Sequence, residues 1–144
     1  MANETLRNFG YPGTLVRDYA HWCILLRPAQ VTLGALVLAA KSEARTFGGL
    51  EVAAFTELAT IARDIGNVFE SFPRAEKTNY LMLMMVDPNV HFHVLPRYSG
   101  SRAFEGITFE DRGWPGQPDL KGAPAITPQI FSRILQTVKS NWPP

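Results

Sequence analysis

The chain has 144 residues, 46% of them hydrophobic and 19% charged, with a net charge of +1. That length favours one domain able to bury roughly 70% of its unfolded surface without staples, and so small a net charge excludes the strong field that drives non-specific binding to nucleic acid or acidic membrane. The single cysteine, Cys23, excludes an internal disulfide.

Met1 to Gly10 carries polar residues and no signal-peptide-like apolar run, and Leu33 to Ala40 is too short to span a bilayer. The expectation is a cytoplasmic protein with no membrane and no nucleic-acid partner. Flanked by Trp22 and Ile24, Cys23 reads as a small core hydrophobe.

The first dozen residues read as a tail or a loose edge strand that ends at the turn signal Tyr11-Pro12-Gly13. Thr14 to Tyr19 and His21 to Leu26 read as strands, Arg27 to Gln30 as a turn, and the continuous apolar run Gly34 to Ala40 as a buried strand. Leu50 to Phe72 is the clearest helix. Leu50, Ala54, Leu58, Ile61, Ile65, Val68 and Phe72 form one apolar stripe, with Gly48-Gly49 before it and Pro73 after it.

Asn79 to Val86 reads as a strand, joined by the turn Asp87-Pro88 to the strand that follows. So short a connection predicts an antiparallel hairpin. Met82, Met84 and Met85 read as core filler. After Gly100 glycine and proline accumulate, with Phe104 to Phe109 as one candidate strand and Trp114 to Pro118 irregular. Thr127-Pro128 places an N-cap and a first-turn proline before a short amphipathic helix carrying Ile130, Ile134, Leu135 and Val138. Trp114 and Trp142 in this region read as dimer contacts. The predicted fold class is α+β: a mainly antiparallel sheet with one long and one short helix and an irregular C-terminal arm, in one domain over 1–144 with its core at about 12–100 and the arm at about 101–144.

Two of the chain's three histidines lie in Asn89-Val90-His91-Phe92-His93-Val94-Leu95-Pro96-Arg97. In a strand, Asn89, His91, His93 and Arg97 share one face, and Val90, Phe92 and Val94 the other. Imidazoles titrate near neutrality and serve as nucleophiles, proton carriers or metal ligands. Three readings stay open at this point. The pair is an idle solvent face, a metal site completed by His21 or Asp87, or a phosphate site assisted by Arg97 and Arg27. Arg97 paired to a helix acid, Arg27 as an exposed turn residue, and His21 as a strand or core histidine are the plainer alternatives.

The run from His91 to Arg97 resembles the end of the histidine triad (HIT) signature, where histidines alternate with apolar residues before Leu/Ile-Pro-Arg. The strand Gln30 to Leu38, the helix from Leu50 and the strand from Asn79 follow in that family's order, so about residues 12 to 100 are covered. The nearest flavour is the bacterial diadenosine-tetraphosphate-hydrolase-like group. The resemblance implies a HIT-like fold, a homodimer, no cofactor and no metal. It also implies binding of a nucleotide or dinucleoside polyphosphate with reaction at the α-phosphate through a nucleotidyl-histidine. By motif position His91 is the nucleophile, His93 assists phosphate and leaving group, Asn89 stands at the first triad position, and Arg97 and Arg27 contact nucleotide or phosphate. Three departures bear on activity. Asn89 replaces a histidine whose backbone carbonyl can still hold the nucleophile's ring, and Ala35 stands where a more distant histidine is usual. The loop before the triad is also short. These departures keep a nucleotide-binding regulatory protein with weak or no hydrolysis as the alternative.

Overall fold

The computed structural model describes residues 1–144. Five strands form one antiparallel sheet in the order β1-β2-β3-β5-β4: β1 (Leu15–Asp18), β2 (Trp22–Leu26), β3 (Leu36–Ala40), β4 (Lys77–Leu81) and β5 (His91–Arg97). With α1 (Glu4–Asn8), α2 (Val52–Ser71) and α3 (Pro128–Asn141) the architecture is α+β, as the sequence predicts. No helix is long and apolar enough to cross a membrane.

Period-two alternation gives the sheet two different faces. Trp22, Ile24 and Leu26 of β2, Leu36, Leu38 and Ala40 of β3, and Val94 of β5 join the main apolar cluster. Ala54, Ile61, Ile65, Val68 and Phe69 of α2 cover that face. The predicted stripe is right in period, with Phe69 taking the buried place assigned to Phe72, which caps the helix before Pro73. The intervening residues Cys23, Leu25, Val37 and Ala39 point to the other face, where Leu6 of α1 packs on them. Register then decides where the histidines go. Ala39 pairs with His91 and Val37 with His93, so both imidazoles stand on the α1 face.

Four expectations are corrected. The opening residues form a helix, not a tail: Asn3 caps α1 through Leu6 N–H and ties it to the sheet by donating to the carbonyls of Ala40 (2.9 Å) and Ser42 (2.8 Å). The strand read at Asn79 to Val86 lies earlier, at Lys77–Leu81, and a long loop over 82–90 replaces the expected tight turn. In that loop Met82 and Met84 pack on the core, but Met85 is 86% exposed, so it is not filler. The region after Gly100 contains a second two-stranded sheet, β6 (Ser101–Phe104) and β7 (Ile107–Glu110), whose turn places Glu105 and Gly106 at φ 49° and 78°, the left-handed pair a tight hairpin requires.

The C-terminal helix is not an appendage either. Thr127 Oγ1 accepts from Ile130 N–H and Pro128 begins the helix, as predicted. Its Ile134, Leu135 and Val138 then enter the main cluster. Trp142 is 7% exposed and donates from Nε1 to Tyr19 Oη at 2.8 Å, which makes it part of its own core and not a dimer contact. Cys23 is 1% exposed, and burial foremost pushes its thiol up to about 12, in keeping with an inert core side chain.

Candidate active site around His91 and His93

The site starts at the entrance to β5. Asn89 and Val90 precede the strand and are held there by backbone bonds. Val90 N–H donates to Ala44 O at 3.1 Å, and Val90 O accepts from Ala40 N–H at 2.9 Å. This fixes the Asn89 carbonyl 2.8 Å from Nδ1 of His91. A carbonyl only accepts, so the His91 proton resides on Nδ1 and its Nε2 carries a free lone pair.

His93 has the opposite arrangement. Arg27 Nε donates to His93 Nδ1 at 3.2 Å. An arginine only donates, so the His93 proton sits on Nε2. Burial foremost, then the Arg27 charge and then His91, lower the His93 pKa to about 4, against a smaller raising effect of Asp87. Near neutral pH this ring is an uncharged N–H donor. The two rings are T-shaped to each other with centroids 5.3 Å apart. The pair therefore offers one nucleophilic nitrogen and one donor on a single face.

Arg27 sits at the end of β2 on a pinned loop. Gln30, 1% exposed, donates from Nε2 to the carbonyls of Arg27 (2.7 Å) and Ala35 (2.9 Å) and accepts from Gly34 N–H (2.8 Å). Gly34 adopts φ +91°, with Pro73 Cδ 3.3 Å from where a Cβ would stand. Arg27 Nη1 donates to Ala29 O at 2.8 Å. Burial lowers the Arg27 pKa from its usual value. Ala35 is fully buried against Val31 and Leu95.

The remaining predicted residues are placed elsewhere or spent elsewhere. The Asn89 side chain is turned to α1. Its Oδ1 accepts from Thr5 N–H (3.2 Å), its N–H donates to Thr5 Oγ1 (2.8 Å), and its Nδ2 donates to Glu43 O (3.1 Å). Only its backbone carbonyl serves His91. Arg97, 3% exposed, lies at the far end of β5, about 13 Å along the strand from His93. Its Nε meets Asp111 Oδ2 at 2.5 Å, Nη2 meets Asp111 Oδ1 at 3.1 Å and Gly116 O at 2.9 Å, and Nη1 meets Asn79 Oδ1 at 2.7 Å. The structure does not bring Arg97 to the imidazoles.

The metal reading loses its third ligand. His21 Nδ1 lies 3.2 Å from Glu51 on the surface, and Asp87 accepts from Asn8 Nδ2 at 2.9 Å. No group of three or more His, Cys, Asp or Glu side chains is arranged to hold a cation.

One participant escaped the sequence reading. The Phe9 ring lies over both imidazoles, 5.5 Å from His91 and 5.7 Å from His93 between centroids. Under it His91 is 2% and His93 8% exposed. None of the larger surface hollows is lined by either ring. The largest, about 680 Å³, runs along the outer edge of β4 between Lys77, Tyr80 and Trp114. A lone Phe before a Gly among polar residues gives no periodic signal that would have announced this contact.

No protein-family model matches the chain, and no curated protein matches it. Solved structures do. A histidine triad protein, blr8122, from Bradyrhizobium japonicum is 15% identical over 99% of this chain and 97% of its own, with a TM-score of 0.73. A histidine triad protein from Marinobacter aquaeolei VT8 is 17% identical over 99% and 95%, with a TM-score of 0.75. A diadenosine triphosphate hydrolase from Plasmodium falciparum is 9% identical over 90% and 76%, with a TM-score of 0.62. The architecture is therefore the histidine triad fold, as the run ending in Leu95-Pro96-Arg97 led one to expect.

Proposed function

We propose that the chain is a nucleotide-binding protein that acts at the α-phosphate of a nucleotide or dinucleoside polyphosphate through a nucleotidyl-histidine. One observation carries this reading: the opposed tautomers of His91 and His93, set by the Asn89 carbonyl at 2.8 Å and the Arg27 guanidinium at 3.2 Å. Nε2 of His91 forms a bond to phosphorus as the bond to the leaving group breaks, and the leaving group departs with its electron pair. The Nε2–H of His93 donates to the developing negative charge. Water then cleaves the N–P bond, the lone pair returns to His91, and a nucleoside monophosphate is released. Arg27 supplies fixed positive charge beside the reacting oxygens, and its Nη2 makes no hydrogen bond within the protein. The Plasmodium hydrolase is named for a substrate of this class.

The test is turnover of a panel of dinucleoside polyphosphates and nucleoside phosphoramidates by wild type and His91→Ala, with a search for a covalent nucleotidyl adduct on His91. Product and adduct from wild type alone support the reading; equal turnover by both removes His91 from the mechanism. The Phe9 cover favours a second reading, a nucleotide-binding protein without turnover. Saturable binding with neither product nor adduct selects it.

A homodimer belongs to the same proposal. Leu38, Leu58, Ala62, Tyr80 and Phe92 line a wholly apolar hollow of about 290 Å³. Tyr80, Leu83, Met85 and Val86, on β4 and the loop beyond it, are all exposed, and β4 is a free sheet edge. Such a patch is characteristic of a protein interface. Sedimentation of the purified chain reads it directly.

A further inference from the structure

The catalytic reading requires a ligand to reach His91, yet that residue is 2% exposed. Phe9 packs against its ring, and Phe9 belongs to a small unit. The helix α1 spans only Glu4–Asn8, and a helix that short has no stability of its own. It is held by the Asn3 bonds to Ala40 and Ser42, the Thr5–Asn89 pair, an exposed Asn8–Asp87 bond, the Thr14 hydroxyl donating to Phe9 O, the buried Leu6 and the partly buried Ala2, Phe9 and Tyr11 around it. Leu6 is its one fully buried apolar side chain, and segments with few such contacts open first. The next residue, Gly10, stands at φ +89° with Thr14 Cγ2 2.8 Å from where a Cβ would be, a joint that only glycine forms without strain.

We propose that α1 with Phe9 is an inhibitory cover, hinged at Gly10, which has to swing off His91 and His93 before any ligand can touch them. The Phe9 ring stands against both imidazoles, its centroid 5.5 Å from that of His91 and 5.7 Å from that of His93. Asn89 ties the cover to the chemistry: its carbonyl holds the attacking ring while its side chain holds Thr5 of the cover. Opening therefore frees the Asn89 amide without disturbing the carbonyl, and leaves the nucleophile aligned. The Asn8–Asp87 bond connects the same cover to the loop at 82–90, where Met85 and Val86 are exposed.

The cover is tested by histidine reactivity, which does not require the nucleotide reading. Carbethoxylation by diethyl pyrocarbonate attacks an unprotonated ring nitrogen. Mass spectrometry of the full chain gives the rate at each histidine, with His21, half-exposed on the far side of the sheet edge, as internal reference. In wild type His91 reacts far more slowly than His21. In Phe9→Ala the His91 rate rises at least about tenfold relative to His21. An unchanged ratio overturns the proposal. Asn8→Ala, which removes only an exposed bond, gives a smaller rise of the same sign and keeps the test valid if Phe9→Ala does not fold; no rise there overturns it equally. Adenosine monophosphate then serves as the ligand probe. Tighter binding to Phe9→Ala supports a cover, whereas weaker binding makes Phe9 a platform for the ligand and overturns the idea. If His91 becomes reactive and neither protein binds nucleotide, the cover stands and the nucleotide reading falls.

Discussion

Removing one partner of the Arg97–Asp111 pair is expected to be the most damaging single polar change in this fold. Both residues are buried, at 3% and 8% exposure, and meet through two hydrogen bonds of 2.5 and 3.1 Å. In Arg97→Met the Asp111 carboxylate keeps only the Tyr98 N–H at 3.3 Å, and the Asn79 and Gly116 oxygens lose their donors. A charge left alone in such surroundings costs about 3–5 kcal/mol. Asp111→Leu strands the guanidinium and costs a similar amount. The double variant Arg97→Met/Asp111→Leu carries no lone charge and should be less destabilised than either single one, by at least about 1 kcal/mol. Urea unfolding at 25 °C, fitted at a common slope, measures all four proteins. Single-variant losses below about 1 kcal/mol, the scale of a solvated pair, refute the reasoning. So does an Arg97→Met protein of wild-type stability that has lost nucleotide binding, because it would return Arg97 to the phosphate role that the sequence reading gave it.

Three further outcomes follow from particular contacts. His93 is depressed to about 4 in the folded chain, against about 6.5 when unfolded. The unfolded chain thus binds more protons between these values, and the contribution of neutral His93 is complete above pH 6.5 and is lost as pH falls toward 4; His93→Gln should flatten that part of the stability–pH curve measured by denaturant titration. Asn89→Ala removes the side-chain bonds to Thr5 and Glu43 but keeps the carbonyl to His91, so it should cost about 1–2 kcal/mol and, with the tie to Thr5 gone, should not lower adduct formation at His91. Thr127→Ala deletes the cap of α3 and should lower stability by about 1 kcal/mol, read as a shift in melting temperature with no change in histidine reactivity.

The parts legible in the sequence were those whose signal is local and repeated. Alternation from Asn89 to Val94 put both imidazoles on one face, and register with Val37 and Ala39 placed them there. Helix α2 was legible from its stripe and from Pro73, and α3 from Thr127-Pro128. What was missed depends on distant partners. Helix α1 has too few residues to show a period and exists because Asn3 reaches Ala40 and Thr5 reaches Asn89, 37 and 84 residues away. The partner of Arg97 lies beyond a hairpin, on Asp111, and only folding brings them together. The only local mark of the hairpin is Glu105-Gly106 at its turn, which does not stand out amid the surrounding glycine and proline.

The unequal faces of β5 also separate two kinds of change. Phe92 and Val94 serve the packed side, while His91 and His93 serve the other. Substitutions at 91 and 93 can retune chemistry with the main hydrophobic cluster untouched, and those at 92 and 94 do the reverse. Gaining or losing a single residue within the strand respects neither division: it would sink both rings into oil and turn Val94 toward the helix that hides them.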